Sequence, residues 1–557
     1  MPMTDDVTTH DVVILGGGLA GLSLALQLKR RDPSVDVCVI ERQQHPVREA
    51  AFKIGESTVE IGAWYFAEVL GLREHLEQEQ IKKFGFRFFF SDGRTDIDGC
   101  TELGASGLLP FPAWQLDRGR FENMLAQRAR DAGIRLHAGA RVRSFDLVDG
   151  DGDGHVHGDS STTPMHTVQY EDAAGSHTLE SRWLVDASGR AGLVKRKLGL
   201  ARSNDHNINA VWFRVPGRID PHDWSDDAEW LGRIEPPERW RSTNHLCGPG
   251  YWVWLIPLAS GAHSVGIVCD AATHPLAGMN TFDKALDWLS HHQPRLAQAL
   301  AGTEPMDFAF FRDVSYGCSQ VFSPNRWALT GEAGLFLDPF YSPGSDFIAI
   351  SNTYIADLIA KDRAGEPIEA YAGVYEQLYF SFYESTLAMY QGQYGLFGNA
   401  RLMSLKVIWD YTYYWGVLGP LYCGGRIADL TVMARLKPEL ARAKALNFAM
   451  QEFLRAWHDA TPDQAASAPR LLDQSAIPWF AELNCRLEDQ LDTRAFLQRL
   501  RDNIAQLETL AREMREQARS QIDLPLALAL DGLLADSQTP GDAGRLLDDA
   551  WYARASG

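Results

Sequence analysis

The chain has 557 residues, 45% apolar and 23% charged, which is globular composition with length for two to four domains of about 150 residues each. Its 73 acidic residues outnumber 53 basic ones, and a net charge of -20 without a dense basic patch excludes a nucleic-acid binder. The 7 cysteines are dispersed without a C-x-x-C pair, which fits a reducing, cytoplasmic setting, and no run reaches the roughly 18 apolar residues of a spanning helix.

Asp11-Val-Val-Ile-Leu15 is a β-branched run predicting a strand buried on both faces. Gly16-Gly-Gly18-Leu-Ala-Gly21 follows, then a helix from Leu22 to Arg30 and a second strand, Val35–Ile40, ending at Glu41. In this context Gly16 permits the tight turn, Gly18 admits a pyrophosphate to the backbone and Gly21 lets helix and strand pack closely. The helix start offers amides and a positive dipole to phosphate, and Glu41 offers an acceptor to ribose hydroxyls. The unit therefore predicts a dinucleotide site.

Three later features favour FAD over NAD. Gln115–Leu125 opens a helix with Arg118 near its start, Leu184–Arg190 carries Asp186 at a strand end, and Trp327–Ala333 carries Glu332 in the same way. No second glycine fingerprint accompanies them, so no separate nicotinamide domain is expected. Between these features, Asp149-Gly-Asp151-Gly-Asp153-Gly154 imitates the start of a calcium loop, but position twelve is Ser160 and the flanks (Arg141–Val148, His166–Tyr170) predict strands. It is a hairpin insert, and no metal site is expected.

Tyr251-Trp252-Val-Trp254-Leu-Ile256-Pro257 predicts a strand with both tryptophans and Ile256 on one face. Phe336–Gly344 fits F-x-x-P-x-x-S-x-G, and its loop Tyr341-Ser342-Pro343-Gly344-Ser345 precedes a helix from Asp346 to Ala360. Amides at a helix start make an anion site; Pro343 has none, which leaves Ser342, Gly344 and Ser345 as donors. After Lys361 the chain turns helical, dense in aromatics from Tyr371 to Tyr422, which predicts packing and a share in an aromatic substrate's lining. Leu497, Leu500, Ile504, Leu507 and Met514 form a stripe that suits a bundle helix better than a coiled coil. Pro462–Pro469 and Gln538–Gly541 read as loops.

The ordered FAD features over residues 10 to 365 resemble the two-domain flavoprotein monooxygenases of the para-hydroxybenzoate hydroxylase type. The W-x-W-x-I-P and F-x-x-P-x-x-S-x-G motifs together resemble the flavin-dependent halogenases. The resemblance implies an α/β fold: an FAD-binding Rossmann-like domain (segments 8–60, 100–200 and 320–365), an inserted substrate-side sheet (61–99 and 201–319) and a mostly helical region over 366–557. It implies cofactor contacts from Gly16, Gly18, Gly21, Glu41, Arg118, Asp186, Glu332, Gly55 and Ser57, the last two in the stretch Gly55-Glu-Ser57-Thr58. Trp252 and Trp254 would partition substrate from flavin, and the Ser342, Gly344 and Ser345 loop would hold halide. Lys83, in Ile81–Phe89, matches the lysine of a K-x-G-x-x-F strand, with Lys82 as the neighbouring alternative; strand geometry turns only one of them inward.

The implied reaction is halogenation of an electron-rich aromatic, such as a phenol or pyrrole, free or tethered to a carrier protein. It uses FADH2 from a separate flavin reductase, oxygen, and chloride or bromide, and proceeds through hypohalous acid and the lysine. Tyr341 stands where indole-acting members carry glutamate, which leans away from free tryptophan. The rival readings are a flavin hydroxylase and a non-catalytic flavin-binding partner in a biosynthetic complex.

Overall fold

The computed structural model describes residues 7–49, 53–148, 165–461, 470–520, 522, 528–535 and 546–547. The hairpin expected at Asp149–Gly154 and the loops expected at Pro462–Pro469 and Gln538–Gly541 lie outside them.

The β-branched run becomes the strand Thr8–Leu15, central in a seven-stranded sheet and parallel to both Val37–Glu41 and Gly175–Asp186. Val12 to Leu15 are fully buried, as a β-branched run central in a sheet and covered on both faces must be. The long strand Gly175–Asp186 changes partners along its length. Its first half pairs antiparallel with His166–Asp172, and its end pairs parallel with Trp327–Leu329. Two expected cofactor loops, after Asp186 and after Leu329, thus emerge side by side at the same sheet edge as the glycine turn.

The second sheet has eight strands in the order Asp307–Phe311, Ile208–Pro216, Ala262–Asp270, Tyr251–Pro257, Thr243–Gly248, Phe86–Phe90, Thr101–Gly104 and Leu471–Asp473. The expected lysine-bearing strand is split into Ile81–Lys82 and Phe86–Phe90. Gly85, at φ +69, takes a left-handed turn between them, and Lys83 N–H donates to Ala113 O instead of to a sheet partner.

The C-terminal region is helical, with Leu471–Asp473 crossing back to pair with Thr101–Gly104. The predicted stripe lies buried along Thr493–Arg519, which packs on Lys437–Asp459 with Arg442 donating to Glu508 at 2.8 Å. It is a bundle helix within the chain.

Candidate active site

A groove of about 710 Å³ runs from the glycine turn past Glu41, Arg118 and Glu332 to Ser342–Ser345. That volume lies within the roughly 300–1,000 Å³ of ligand sites. Gly16 sits at φ +115, where a Cβ would lie 2.3 Å from Ala187 O, and a Cβ on Gly21 would lie 2.0 Å from Gly16 O. At Gly18 a Cβ would meet nothing within 4 Å, so this backbone faces open groove. Close packing at two glycines and free approach at the middle one are what a dinucleotide requires. Glu41 braces the turn, accepting from Gly17 N–H and from Gln43 N–H, each at 2.6 Å.

Arg118 donates to Ile54 O at 2.6 Å and to Glu122 Oε1 at 2.6 Å, so its guanidinium is held at the groove wall. Gly55, at φ +86, lies beneath it, where a Cβ would come within 2.9 Å of Arg118 Nη1. Glu332 pairs with Arg190 at 3.2 Å, whose guanidinium stacks 4.0 Å over Phe311. Asp186 departs from the expectation. Its carboxylate is fully buried and turned into its own loop, accepting from Ser188 N–H at 3.0 Å and Val194 N–H at 2.7 Å. The groove is lined there by Ala187 to Ala191 instead, and Asp186 shapes that loop without facing the groove.

Trp252, Trp254 and Ile256 share one face of their strand and all line the groove. The Trp254 indole N–H donates to Ser264 Oγ at 3.1 Å, and its ring fills the space where Gly266 lacks a Cβ. The Trp252 indole N–H donates to Tyr394 Oη at 3.0 Å, and Tyr394 donates to Asp338 Oδ2 at 2.6 Å. Asp338 in turn caps the turn Pro339–Tyr341 through Phe340 N–H at 2.9 Å.

That turn leads into the loop expected to hold halide. Ser342 takes φ +52 and spends its amide on Pro339 O at 2.9 Å, so it is not among the free donors. The helix begins at Gly344, with its first ladder bond from Phe347 N–H to Pro343 O, which leaves the amides of Gly344, Ser345 and Asp346 without intrahelical acceptors. Asp346 thus supplies the third amide in place of Ser342. Ser345 Oγ is buried and unpartnered among the described residues, and a Cβ on Gly62 would lie 2.3 Å from it.

Lys82 is exposed, whereas Lys83 is 5% exposed. Lys83 Nζ donates to Ser57 Oγ at 3.0 Å and Thr58 O at 3.1 Å, and stands 3.3 Å from the Phe86 ring centroid. Ser57 lines the groove, so the ammonium sits directly behind its wall. Burial lowers the Lys83 pKa to about 7, against the opposing pull of Glu60 and Asp346. Burial likewise raises Asp346 to about 8, although its oxygens accept from Tyr414 Oη at 2.7 Å and Gly62 N–H at 2.8 Å.

On the far side lies a chamber of about 50 Å³ walled by Glu60, Phe86, Tyr341, Tyr390, Tyr411 and Tyr414. Pro343 and Phe347 line both this chamber and the groove. Tyr341 donates to Asp410 Oδ2 at 2.8 Å, and Asp410 is held by Lys406 at 2.7 Å and Gln451 at 2.7 Å. Glu60, Asp346, Tyr394 and Asp410 carry no motif that marks them as site residues. Their only sequence signal is a polar group inside otherwise apolar or aromatic stretches, and apart from Lys406 beside Asp410 the partners named here lie 41 or more residues away.

Residues 9–267 match the FAD binding domain family. A flavin-dependent halogenase of Dictyostelium discoideum, chlA, is 26% identical over 443 residues, covering 76% of this chain and 72% of that protein. A 1H-pyrrole-2-carbonyl-[peptidyl-carrier protein] chlorinase of Pseudomonas fluorescens is 27% identical over 380 residues, covering 65% and 76%. Among solved structures, halogenase PltM in complex with phloroglucinol and FAD has the same fold at TM-score 0.63, with 15% identity, covering 90% of this chain and 96% of that one. With an FAD groove, the tryptophan strand, the amide loop and a buried lysine in one molecule, the chain is similar to the flavin-dependent halogenases.

Proposed function

We propose that this halogenase uses FADH2 from a separate reductase, oxygen, and chloride or bromide to halogenate an electron-rich arene through Lys83. When bound in the groove, the flavin supplies the oxygen chemistry that oxidises halide to hypohalous acid. The chain's own residues position the parts. The glycine turn, Glu41, Arg118 and Glu332 hold the cofactor, and the amides of Gly344 and Ser345 hold halide at a helix start. Trp252 and Trp254 wall the groove and keep the arene from the cofactor.

Lys83 then receives the oxidised halogen. Its amine attacks hypohalous acid, forming N–halogen and releasing water, and the arene carbon takes the halogen as the ring proton leaves and the amine is restored. The observation that carries this reading is the placement of Lys83 between groove wall and chamber, buried enough for the amine form to be populated near neutrality.

The relatives named for pyrrole carriers support testing tethered as well as free substrates. The test is mass spectrometry of products from phenols, pyrroles and a pyrrolyl carrier protein, with FAD, a reductase and each halide. Halogen isotope patterns that vanish in Lys83→Met are the expected result. Hydroxylated products without halogen, or rapid NAD(P)H oxidation by the chain alone, would overturn it in favour of direct oxygen insertion.

A further inference from the structure

A further cavity, of about 360 Å³, shares no lining residue with the groove or the chamber. Its size falls within the range of ligand sites. The hairpin that joins Tyr251–Pro257 to Ala262–Asp270 forms one side, and Gln80, Arg120, Arg218, Trp240 and His263 contribute the rest of its polar and aromatic lining. Successive strand residues face opposite ways. Ser264 therefore reaches the groove side to meet Trp254, while His263 turns to this cavity.

His263 is fully buried, paired along the sheet with Val215 and Pro257. Its Nδ1 accepts from Ile219 N–H at 3.1 Å, which puts the ring proton on Nε2. Burial keeps the ring neutral, its pKa lowered to about 3, and the charge of Arg218 acts in the same direction. The Nε2–H has no acceptor among the described residues. A buried donor without an acceptor is a standing cost to the fold, relieved when something accepts from it.

The cation beside it is also uncommitted. Arg218 is exposed, lies 4.6 Å over the Trp240 ring, and forms neither ion pair nor hydrogen bond among the described residues. Asp220 feels its charge without pairing to it. Arg120, by contrast, is taken up by Glu49 at 3.0 Å and Ala259 O at 3.2 Å. Glu79 is the one acidic residue lining the cavity, and it is exposed, where solvent and salt screen it.

We propose that this cavity is a second ligand site, for a flat molecule bearing an oxyanion. The oxyanion accepts from His263 Nε2–H and meets the Arg218 guanidinium, and the flat body lies against Trp240 and the apolar hairpin residues Pro257 and Leu258. A neutral ring leaves the cation unanswered, and a bare ion leaves the aromatic and apolar walls uncovered.

The site stands apart from Lys83 and from turnover, so its test reads binding alone. Benzoate, benzamide and inorganic phosphate are titrated into the full-length, FAD-loaded protein by calorimetry. Benzoate is expected to bind about 10-fold more tightly than its neutral isostere benzamide, the worth of a hydrogen bond to a charged group. It should also bind more tightly than phosphate, which offers Trp240 nothing to stack. Arg218→Ala, at an exposed position outside the cofactor groove, should bring benzoate and benzamide within about threefold of each other. His263→Phe keeps a ring, removes the donor and should weaken benzoate several-fold, while Trp240→Leu should weaken benzoate and leave phosphate unchanged. Flavin absorbance should be the same in all three variants. Equal binding of benzoate and benzamide by the native protein overturns the inference whether or not the variants fold, as does a benzoate preference that survives Arg218→Ala. Phosphate binding as tightly as benzoate would reduce the cavity to a bare-ion site and overturn the flat ligand.

Discussion

Tyr394 donates its hydroxyl proton to Asp338 at 2.6 Å, and through it the strand of Trp252 and the turn Pro339–Tyr341 share one hydrogen-bonded chain. His206 Nε2 meets the same Asp338 Oδ2 at 2.8 Å, while Oδ1 takes the Phe340 N–H. Tyr394→Phe keeps the ring stacked 4.5 Å from Phe397 but leaves the Trp252 N–H and one Asp338 interaction unmade. We expect a loss of about 1–3 kcal/mol in thermal or denaturant unfolding. The KM for halide should rise several-fold while kcat falls less, because the turn that presents the amides is loosened rather than removed.

Lys83→Met should retain FAD, seen in its absorbance, while product halogenation falls by at least about 100-fold. In the native protein, turnover under saturating flavin supply should rise with pH through an inflection near 7 if the amine acts as proposed, because burial has lowered its pKa to about 7. Glu60, the larger of the two opposing influences on this lysine, holds the proton on when ionised, so Glu60→Gln should move the inflection to lower pH. A rate that falls across the same range would assign the work to the ammonium.

Asp346 makes a stability prediction of definite sign. Burial raises its pKa from 3.8 to about 8, so between those values the native state holds a proton that the unfolded chain has released. Native stability attributable to this group therefore declines as pH rises from 4 to 8, by up to about 1.4 kcal/mol per pH unit. Asp346→Asn keeps the acceptor for Gly62 N–H and lacks the titration. The native protein should lose stability relative to it across that window, measured by urea unfolding at each pH.

Gly62→Ala would place a methyl 2.3 Å from Ser345 Oγ and 3.2 Å from Asp346 Oδ1. Overpacking of this kind costs about 1–3 kcal/mol, and here it presses on the helix start, so halide protection of the fold against heat should weaken as well. Gly373→Ala makes the contrast: within the helix Glu369–Leu387 its Cβ meets nothing within 4 Å, and it should stabilise by roughly 0.5–1 kcal/mol.

Local motifs carried the flavin half of the molecule. Strand, glycine turn and acid fall within one stretch of chain, and the strand with Trp252 and Trp254 has a two-residue period, so position in sequence dictates position in space. Lys83 was legible for the same reason, yet the strand expected around it is broken at Gly85, and the lysine turns inward from a loop. Ser342 and Asp186 went otherwise because short-range backbone bonds claimed them: one amide went to Pro339, and one carboxylate to its own loop. Glu60, Asp346 and Tyr394 were not legible, since each draws its role from a partner 56 or more residues away, such as Asn484, Gly62 or Asp338.

The strand Leu471–Asp473 that crosses back to the large sheet is tied down by Ser106, whose backbone N–H donates to Asp473 at 3.0 Å. Tyr390, Tyr411 and Tyr414, which wall the chamber, come from that same late part of the chain. Cutting the protein after the flavin half would therefore bare a sheet edge prone to aggregation and take away most of the chamber's walls. Conversely, rewriting these late helices would reshape the chamber while leaving the glycine turn and the groove around it intact.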